Sequence, residues 1–300
     1  AVAIFFSAVL KIPQIRLFKH LLKNTFGEKG NKEGISAFQS FSIALGGRVG
    51  TGTITGTAGA ILAGGPGAVF WMWLMALLGA ATAFVESTLG QIYKKKLNDE
   101  YVGGPAFYIE KGLGWKKIAA IYAGVTVFFM LIFASVQSNS FSLIVQSNFK
   151  ISAVIIGVAY AVLLVLVVFG GAKKIAKVAE VIVPFMTLGY FLLAIIMFVV
   201  NYEQIPEVFG MIFKSAFGLD AVFGGIVGNA ISWGFKRGCL SHEAGQGTGA
   251  MVSGTAEVSH PAKSGLAQAF SVLVTILVST STIFMIFSTG SFNVENPAGE

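Results

Sequence analysis

Two stretches of this sequence, residues 178–200 and 265–289, run for 23 and 25 residues with a single charged side chain, Glu180, in the two together. A hydrocarbon layer about 30 Å thick is crossed by roughly 20 apolar residues as an α-helix, but by only about 10 as a β-strand. Neither stretch alternates apolar and polar residues, as a barrel strand between lipid and lumen must. In lipid every backbone N–H and C=O has to find its partner inside the chain, which leaves helices as the spanning structure. Composition agrees: charged residues are 12% of the total, about half their share in soluble domains, and the mean hydropathy is +0.77. The sequence is that of an all-α polytopic membrane protein, with residues 1–300 forming one transmembrane domain.

Candidate spans are 1–11, 37–63, 66–93, 116–147, 151–170, 176–200, 219–235 and 262–290. Residues 13–33 and 104–113 read as short surface helices or loops, and 204–217 as a short interfacial helix. Of the 21 Lys and Arg residues, 18 fall in alternate loops: 11–33, 94–117, 171–177 and 236–263. The opposite loops hold Lys150 and Lys214, together with Glu203, Glu207 and Asp220. Basic loops stay on the cytoplasmic side, so these four are expected there, in a multi-pass protein of the plasma membrane. The net charge of +7 is then a matter of orientation in the lipid bilayer and implies no nucleic-acid partner. The single Cys239 excludes a disulfide framework or a cysteine metal site, and His20, His242 and His260 lack ligand spacing. Paired carboxylates, a histidine cluster or a nucleophile beside a base are missing too, which argues against an enzyme. The chain opens inside an apolar run without an initiator Met and ends in polar "NVENPAGE", so it reads as a segment of a longer protein.

The stretch "GGRVGTGTITG" (46–56) breaks the apolar pattern: Gly46, Gly47, Gly50, Gly52 and Gly56 crowd around Arg48. Each Gly costs a helix interior about 1 kcal/mol relative to Ala, and so many together predict an unwound hinge between two half-helices. Irregular backbone survives at membrane depth only where it lines a cavity or is covered by protein. Its bared carbonyls then suit a cation, and the free N–H groups of the second half-helix suit a carboxylate. A second candidate break lies in "GGIVGNAISWGFKRG" (224–238), and the charge map gives the two helices opposite directions. Paired, Gly-interrupted helices of opposite sense point to an inverted-repeat carrier with its site at the midplane. On that reading 37–200 is a first five-helix repeat, and 219–300 begins a second, truncated one. Arg48 inside the first break either meets a substrate carboxylate or, as the favoured reading, pairs with Glu86, Glu243 or hinge carbonyls. Glu86 and Glu243 are read as charges of the inner gate.

Six ordered motifs, "GGRVGTGTITG", "GGPGAVFWMW", "GGPAFYIEKGLG", "VQSNS", "KKIAKVAEVIVPFM" and "KRGCLSHEAGQGTGA…VSHPAKSGLAQ", resemble the alanine/glycine:cation symporters over about residues 10–290. The resemblance implies a leucine-transporter-like fold and sodium-driven uptake of alanine or glycine, with sodium as coupling ion and no cofactor. It further implies a sodium site at the carbonyls of Gly46 and Val49 with the Thr53 hydroxyl. The amides of Gly50, Thr51 and Gly52 would face the substrate carboxylate, and Gln137 would reach the substrate from the third core helix. The second break, near Gly228 to Trp233, would close the pocket with Asn229 and Trp233. Three positions depart from the family pattern: Thr53 stands where Asn is usual, His242 replaces Asn in "SNEAG", and Thr275 stands near an expected Asp. Alternatives are a proton-coupled or uncoupled small-solute carrier. A channel ranks lower, since the two breaks are unlike in sequence and form no symmetric filter.

Overall fold

Helix starts and stops follow local chemistry. Ser36 and Gln39 form a reciprocal capping box that opens a helix at Ala37, and prolines occupy the first helical position at Pro105 and Pro261, where a missing N–H costs nothing. Gly65, at φ 73°, closes the helix before it. The computed structural model describes residues 1–27, 34–97, 100–218 and 224–290; Lys29, Lys32, Asp220 and the first residues of the expected span 219–235 lie outside them. The elements are α1 (Val2–Val9), α2 (Pro13–Arg16), α3 (Phe18–Gly27), α4 (Ala37–Arg48), α5 (Thr51–Gly64) and α6 (Ala68–Ile92), then a hairpin of β1 (Lys95–Leu97) and β2 (Glu100–Val102). There follow α7 (Pro105–Leu113), α8 (Lys116–Phe149), α9 (Ala153–Val168), α10 (Gly171–Val200), α11 (Ile205–Phe217), α12 (Gly224–His242), α13 (Thr248–Gly254) and α14 (Pro261–Ser288). Among the described residues, four helices are long and apolar enough to cross a membrane: α6, α8, α10 and α14. The antiparallel hairpin, in register Lys95↔Val102 and Leu97↔Glu100, departs from the all-α expectation.

The core centres on α6 and α14. Ala76, Ala80 and Ala83 meet Leu266, Ala269 and Val272, small residues on one helix admitting large ones from the other. Phe41, Leu45 and Val49 pack with Val183 of α10 and with Val274 and Val278 of α14. By contrast α8 and α9 turn Phe128, Leu131, Val154 and Leu163 outward, as lipid-facing surfaces do. At the end of the molecule carrying the basic loops, Ile35 pairs with Ala256 in a parallel bridge. Gly34 N donates to Glu257 Oε2 (3.1 Å) and Lys94 Nζ to the Ala256 carbonyl (2.8 Å).

Three sequence expectations change here. The first break is narrower than the glycine run: only Val49 and Gly50 separate α4 from α5. Gly46 and Gly47 stay helical because neighbours approach closely; a Cβ on Gly46 would stand 2.8 Å from Val183 Cγ2. The second break is displaced. α12 is helical from Gly224 to His242, through Gly228, Asn229 and Trp233, and the chain breaks only over 243–247. Gly234 and Gly238 of α12 serve close packing against α6, as small residues do between membrane helices, whereas the break uses left-handed backbone at Glu243 (φ 48°), Gly245 and Gly247 (φ 86° each). Finally, Lys236 and Arg237, expected in the loop 236–263, lie within α12; a pair of charges ends a hydropathy window without ending a helix.

The packing reading yields a paired prediction. A Cβ on Gly234 would stand 2.5 Å from both the Ala68 carbonyl oxygen and Trp71 Cβ, while Gly228 has nothing within 4 Å. Gly234→Ala is expected to destabilise the protein by about 1–3 kcal/mol. Gly228→Ala should stabilise it by up to about 1 kcal/mol. Thermal unfolding of the two variants in detergent checks the contrast.

Candidate functional site

The first break is made by two residues. Val49 (φ −90°, ψ 7°) still sends its N–H to the Leu45 carbonyl (2.7 Å), and Gly50 (ψ −162°) turns the chain out of the helix. Helical hydrogen bonding resumes when Thr53 and Ile54 donate to the Gly50 carbonyl at 3.2 and 3.3 Å. The N–H groups of Gly50, Thr51 and Gly52 therefore have no acceptor within α5, as at any helix start, and present the positive end of its dipole. From α8, Gln137 reaches this point: its side-chain oxygen accepts from the Thr51 hydroxyl, and its Nε2 stands 3.7 Å from the place of a Cβ on Gly50. Beside Gly52 the space is open for 4 Å. Sequence reasoning placed Gly50, Thr51, Gly52 and Gln137 together, and the fold brings them together.

The second break meets the first through Arg48. This side chain is the largest fully buried one in the described protein. Its Nε donates to the His242 carbonyl (3.0 Å), and its Nη1 to the Gln268 carbonyl (3.3 Å), to Gln268 Oε1 (3.0 Å) and to Ser271 Oγ. Glu243 and Glu86 supply the countercharge. Glu86 Oε2 accepts from the Gly247 N–H (2.9 Å), which ties α6 to the second break. Arg48 Nη2 and Glu86 Oε1 flank one point, at 3.0 and 3.1 Å from the place of a Cβ on Gly249. The Glu243 carboxylate accepts from Thr248 Oγ1 (3.1 Å) and lies against Gly47. The expected inner-gate charges thus converge on the breaks themselves.

Thr53 is a cross-tie. Its buried hydroxyl stands within hydrogen-bonding distance of the Arg48 carbonyl and of the Ser241 carbonyl (3.1 Å), while Ser241 Oγ donates to the Gly52 carbonyl (2.8 Å). His242 bonds the Met72 carbonyl through Nε2 (3.1 Å) and Thr275 Oγ1 through Nδ1 (2.6 Å). A carbonyl only accepts, so Nε2 carries the proton, and the Thr275 hydroxyl stands between Nδ1 and the Val272 carbonyl (2.5 Å). Gly46 and Val49 border the first break as expected. Asn229 and Trp233 do not reach it: Asn229 donates to the Ala63 carbonyl, and Trp233 Cβ lies 2.7 Å from the place of a Cβ on Gly64. That is the far end of α5, about 20 Å from Gly50 at 1.5 Å per residue.

Gln268 and Ser271 were missed by the sequence reading. The signal was available: Ser264, Gln268, Ser271, Thr275, Ser279 and Thr282 recur every three or four residues through an otherwise apolar helix, and all are buried. Such spacing places them on one face, from which Gln268, Ser271 and Thr275 reach the breaks. Among the described residues no cluster of three His, Cys, Asp or Glu side chains is present. The oxygens offered at the breaks are carbonyls, hydroxyls, the amides of Gln137 and Gln268, and the carboxylates of Glu86 and Glu243.

These features define a membrane-embedded helical protein built around a broken helix, the kind of backbone that binds small solutes at mid-depth. Comparison with known proteins gives the family. The profile of the sodium:alanine symporter family matches residues 1–300, and the chain belongs to that family. It is 52% identical over 296 residues to the putative sodium/proton-dependent alanine carrier protein YrbD of Bacillus subtilis, an alignment covering 98% of this chain and 61% of that protein. It is 42% identical over 300 residues to the probable sodium/glutamine symporter GlnT of the same organism, covering 99% and 63%. To the sodium/alanine symporter AgcS of Methanococcus maripaludis it is 39% identical over 290 residues, covering 93% and 64%. The chain thus spans about three fifths of the length of these curated relatives.

The clasp carries its own prediction. Lysine keeps the charge of Arg48 but has no planar fork to serve a carbonyl, an amide and a hydroxyl together. Arg48→Lys is expected to lower stability by about 2–4 kcal/mol, as breaking a buried charged network does. Unfolding midpoints of wild type and variant in detergent provide the measurement.

Proposed function

We propose that the full-length protein is a sodium-coupled symporter of small neutral amino acids, alanine and glycine among them, working by alternating access across the plasma membrane. The observation that carries this reading is the interruption of the α4–α5 helix at Val49–Gly50, with Gln137 beside it. In the proposed arrangement the carboxylate of the amino acid docks on the N–H groups of Gly50, Thr51 and Gly52. Gln137 and Thr51 orient the rest of the ligand. Sodium, the co-transported cation, is held by the carbonyl oxygens of Gly46 and Val49 with the Thr53 hydroxyl. Arg48, Glu86 and Glu243 act as structural charges that keep the two breaks in register. Asn229 and Trp233 have no part in this proposed pocket.

Residues 37–200 serve as the first repeat of an inverted pair and 219–300 as the opening of the second, truncated in this chain. The opposed directions of α5 and α12 support that assignment: residues near the start of α5 meet the end of α12, and residues near its end meet Asn229. The loops 11–33, 94–117, 171–177 and the residues after α13 up to Lys263 face the cytoplasm. Names of relatives agree on cation-dependent carriage of an amino acid, alanine for two of the three and glutamine for the other, with a proton named beside sodium in one.

Counterflow of labelled alanine into proteoliposomes of the full-length protein tests the reading. Saturable flux that requires sodium is expected, and a flux that neither saturates nor responds to sodium rejects it. Uptake driven by a pH gradient without sodium would assign the coupling to protons. In the same assay Gln137→Ala should raise KM about tenfold, the loss of one polar contact to a bound ligand being about 1.4 kcal/mol.

A further inference from the structure

Lys236 and Arg237 extend the pattern of basic loops in the sequence, yet the fold sets them on the other side of both breaks. α12 runs antiparallel to α5. Ser241 lies beside Gly52 and Gly56, Arg237 beside Gly59, and Asn229 beside Ala63. Gly59 is nine residues beyond Gly50, about 13 Å further along α5, and directed away from Ile35, Lys94 and Ala256 where the basic loops gather. With those loops cytoplasmic, Arg237 stands in the outer half of the membrane.

Its surroundings are specific. The guanidinium lies over the Trp233 ring, 5.6 Å from its centroid, and Lys236 Nζ lies 5.3 Å from the same ring. Nη2 fits against Gly59, 3.3 Å from the place of a Cβ. Nε is buried and makes no hydrogen bond. Neither cation has an acidic partner among the described residues. A charge at membrane depth without a partner is costly to keep and marks a pathway or a binding position. The indole lies against the guanidinium and Nε is buried, so the terminal Nη1–Nη2 edge is what remains to match a carboxylate bidentately. Below it, Gly59, Thr55 and Gly52 recur at helical spacing along one side of α5; Thr55 is exposed and the space at Gly52 is open.

We propose that Arg237 receives the carboxylate of the incoming amino acid on the outer approach, before it reaches the N–H groups of Gly50, Thr51 and Gly52. The proposal rests on the symport reading above. The carboxylate exchanges a guanidinium for a helix terminus two to three turns deeper, with Lys236 adding to the attraction. Steering of this kind raises the encounter rate, so it acts on KM more than on maximal rate, and salt screens it.

The test is the initial rate of sodium-driven alanine uptake in proteoliposomes of the full-length protein, for wild type, Arg237→Gln and Arg237→Met, at low and high ionic strength. Both neutral variants are expected to raise KM about tenfold, with maximal rate within about twofold of wild type, and to lose the rise of KM with ionic strength that wild type shows. Met keeps an extended stem against Trp233, so it serves if the Gln variant does not accumulate. An unchanged KM in either folded variant, or a parallel fall of maximal rate and unfolding midpoint with KM unaltered, overturns the assignment and leaves Arg237 as packing for Trp233. Absence of sodium-driven uptake in wild type would instead remove the symport reading on which the proposal stands.

Discussion

A guanidinium with no access to water has to be hydrogen-bonded and charge-balanced, or the burial of its charge costs several kcal/mol. Arg48 meets that demand by reaching from the end of α4 to the end of α12 and to α14, with Glu86 and Glu243 as countercharges. The constraint runs both ways. The Arg48 side chain can be buried only if α4 stops close to the His242 carbonyl, and the His242 carbonyl is available only because α12 stops there. Two interruptions far apart in sequence are thereby held at one level of the bilayer. The groups that cross between them (Thr53, Ser241, Gly52) are additional ties around the same charge.

Around this clasp the site divides into a closed side and an open side. Toward α14 the Arg48 Nε and Nη1, Gln268, Ser271, Thr275 and His242 are bonded across elements, and the glycine contacts of α6 and α12 allow the approach. Toward α8, Gln137 and the first turn of α5 border space, and Gly52 has none of its neighbours within reach of a side chain. The proposed site sets anchored backbone on one side and uncommitted N–H groups on the other. Membership in a family of sodium:alanine symporters fits that division.

The spans were legible because hydrocarbon leaves no alternative to long apolar helices, and the first break because glycine crowds there around a charge. Its partner was misread for a physical reason. Glycine is used for two purposes, close packing and left-handed backbone, and sequence shows the same letter for both. At Gly234 and Gly238 it packs α12 against α6; in "SHEAGQG" it turns the chain. Glu243, read as an inner-gate charge, lies in the break over 243–247 with its carboxylate against Gly47. All three positions that depart from the family pattern belong to the clasp: Thr53 bonds the Ser241 carbonyl, and His242 bonds Thr275. They are substitutions within a hydrogen-bonded network and leave the open side of the site untouched.

The polar edge of α14 has a mechanical consequence. Six small polar side chains, Ser264 to Thr282, follow one another down a helix of 28 residues. A spin of this rod by a third of a turn would carry hydroxyls and an amide into hydrocarbon and strand the groups they serve on α4, α10, α12 and α13. The azimuth of α14 is therefore locked. Whatever rearrangement the molecule undergoes, α14 travels as a keyed shaft with α4 and α6 attached, free to tilt or shift with them but not to roll.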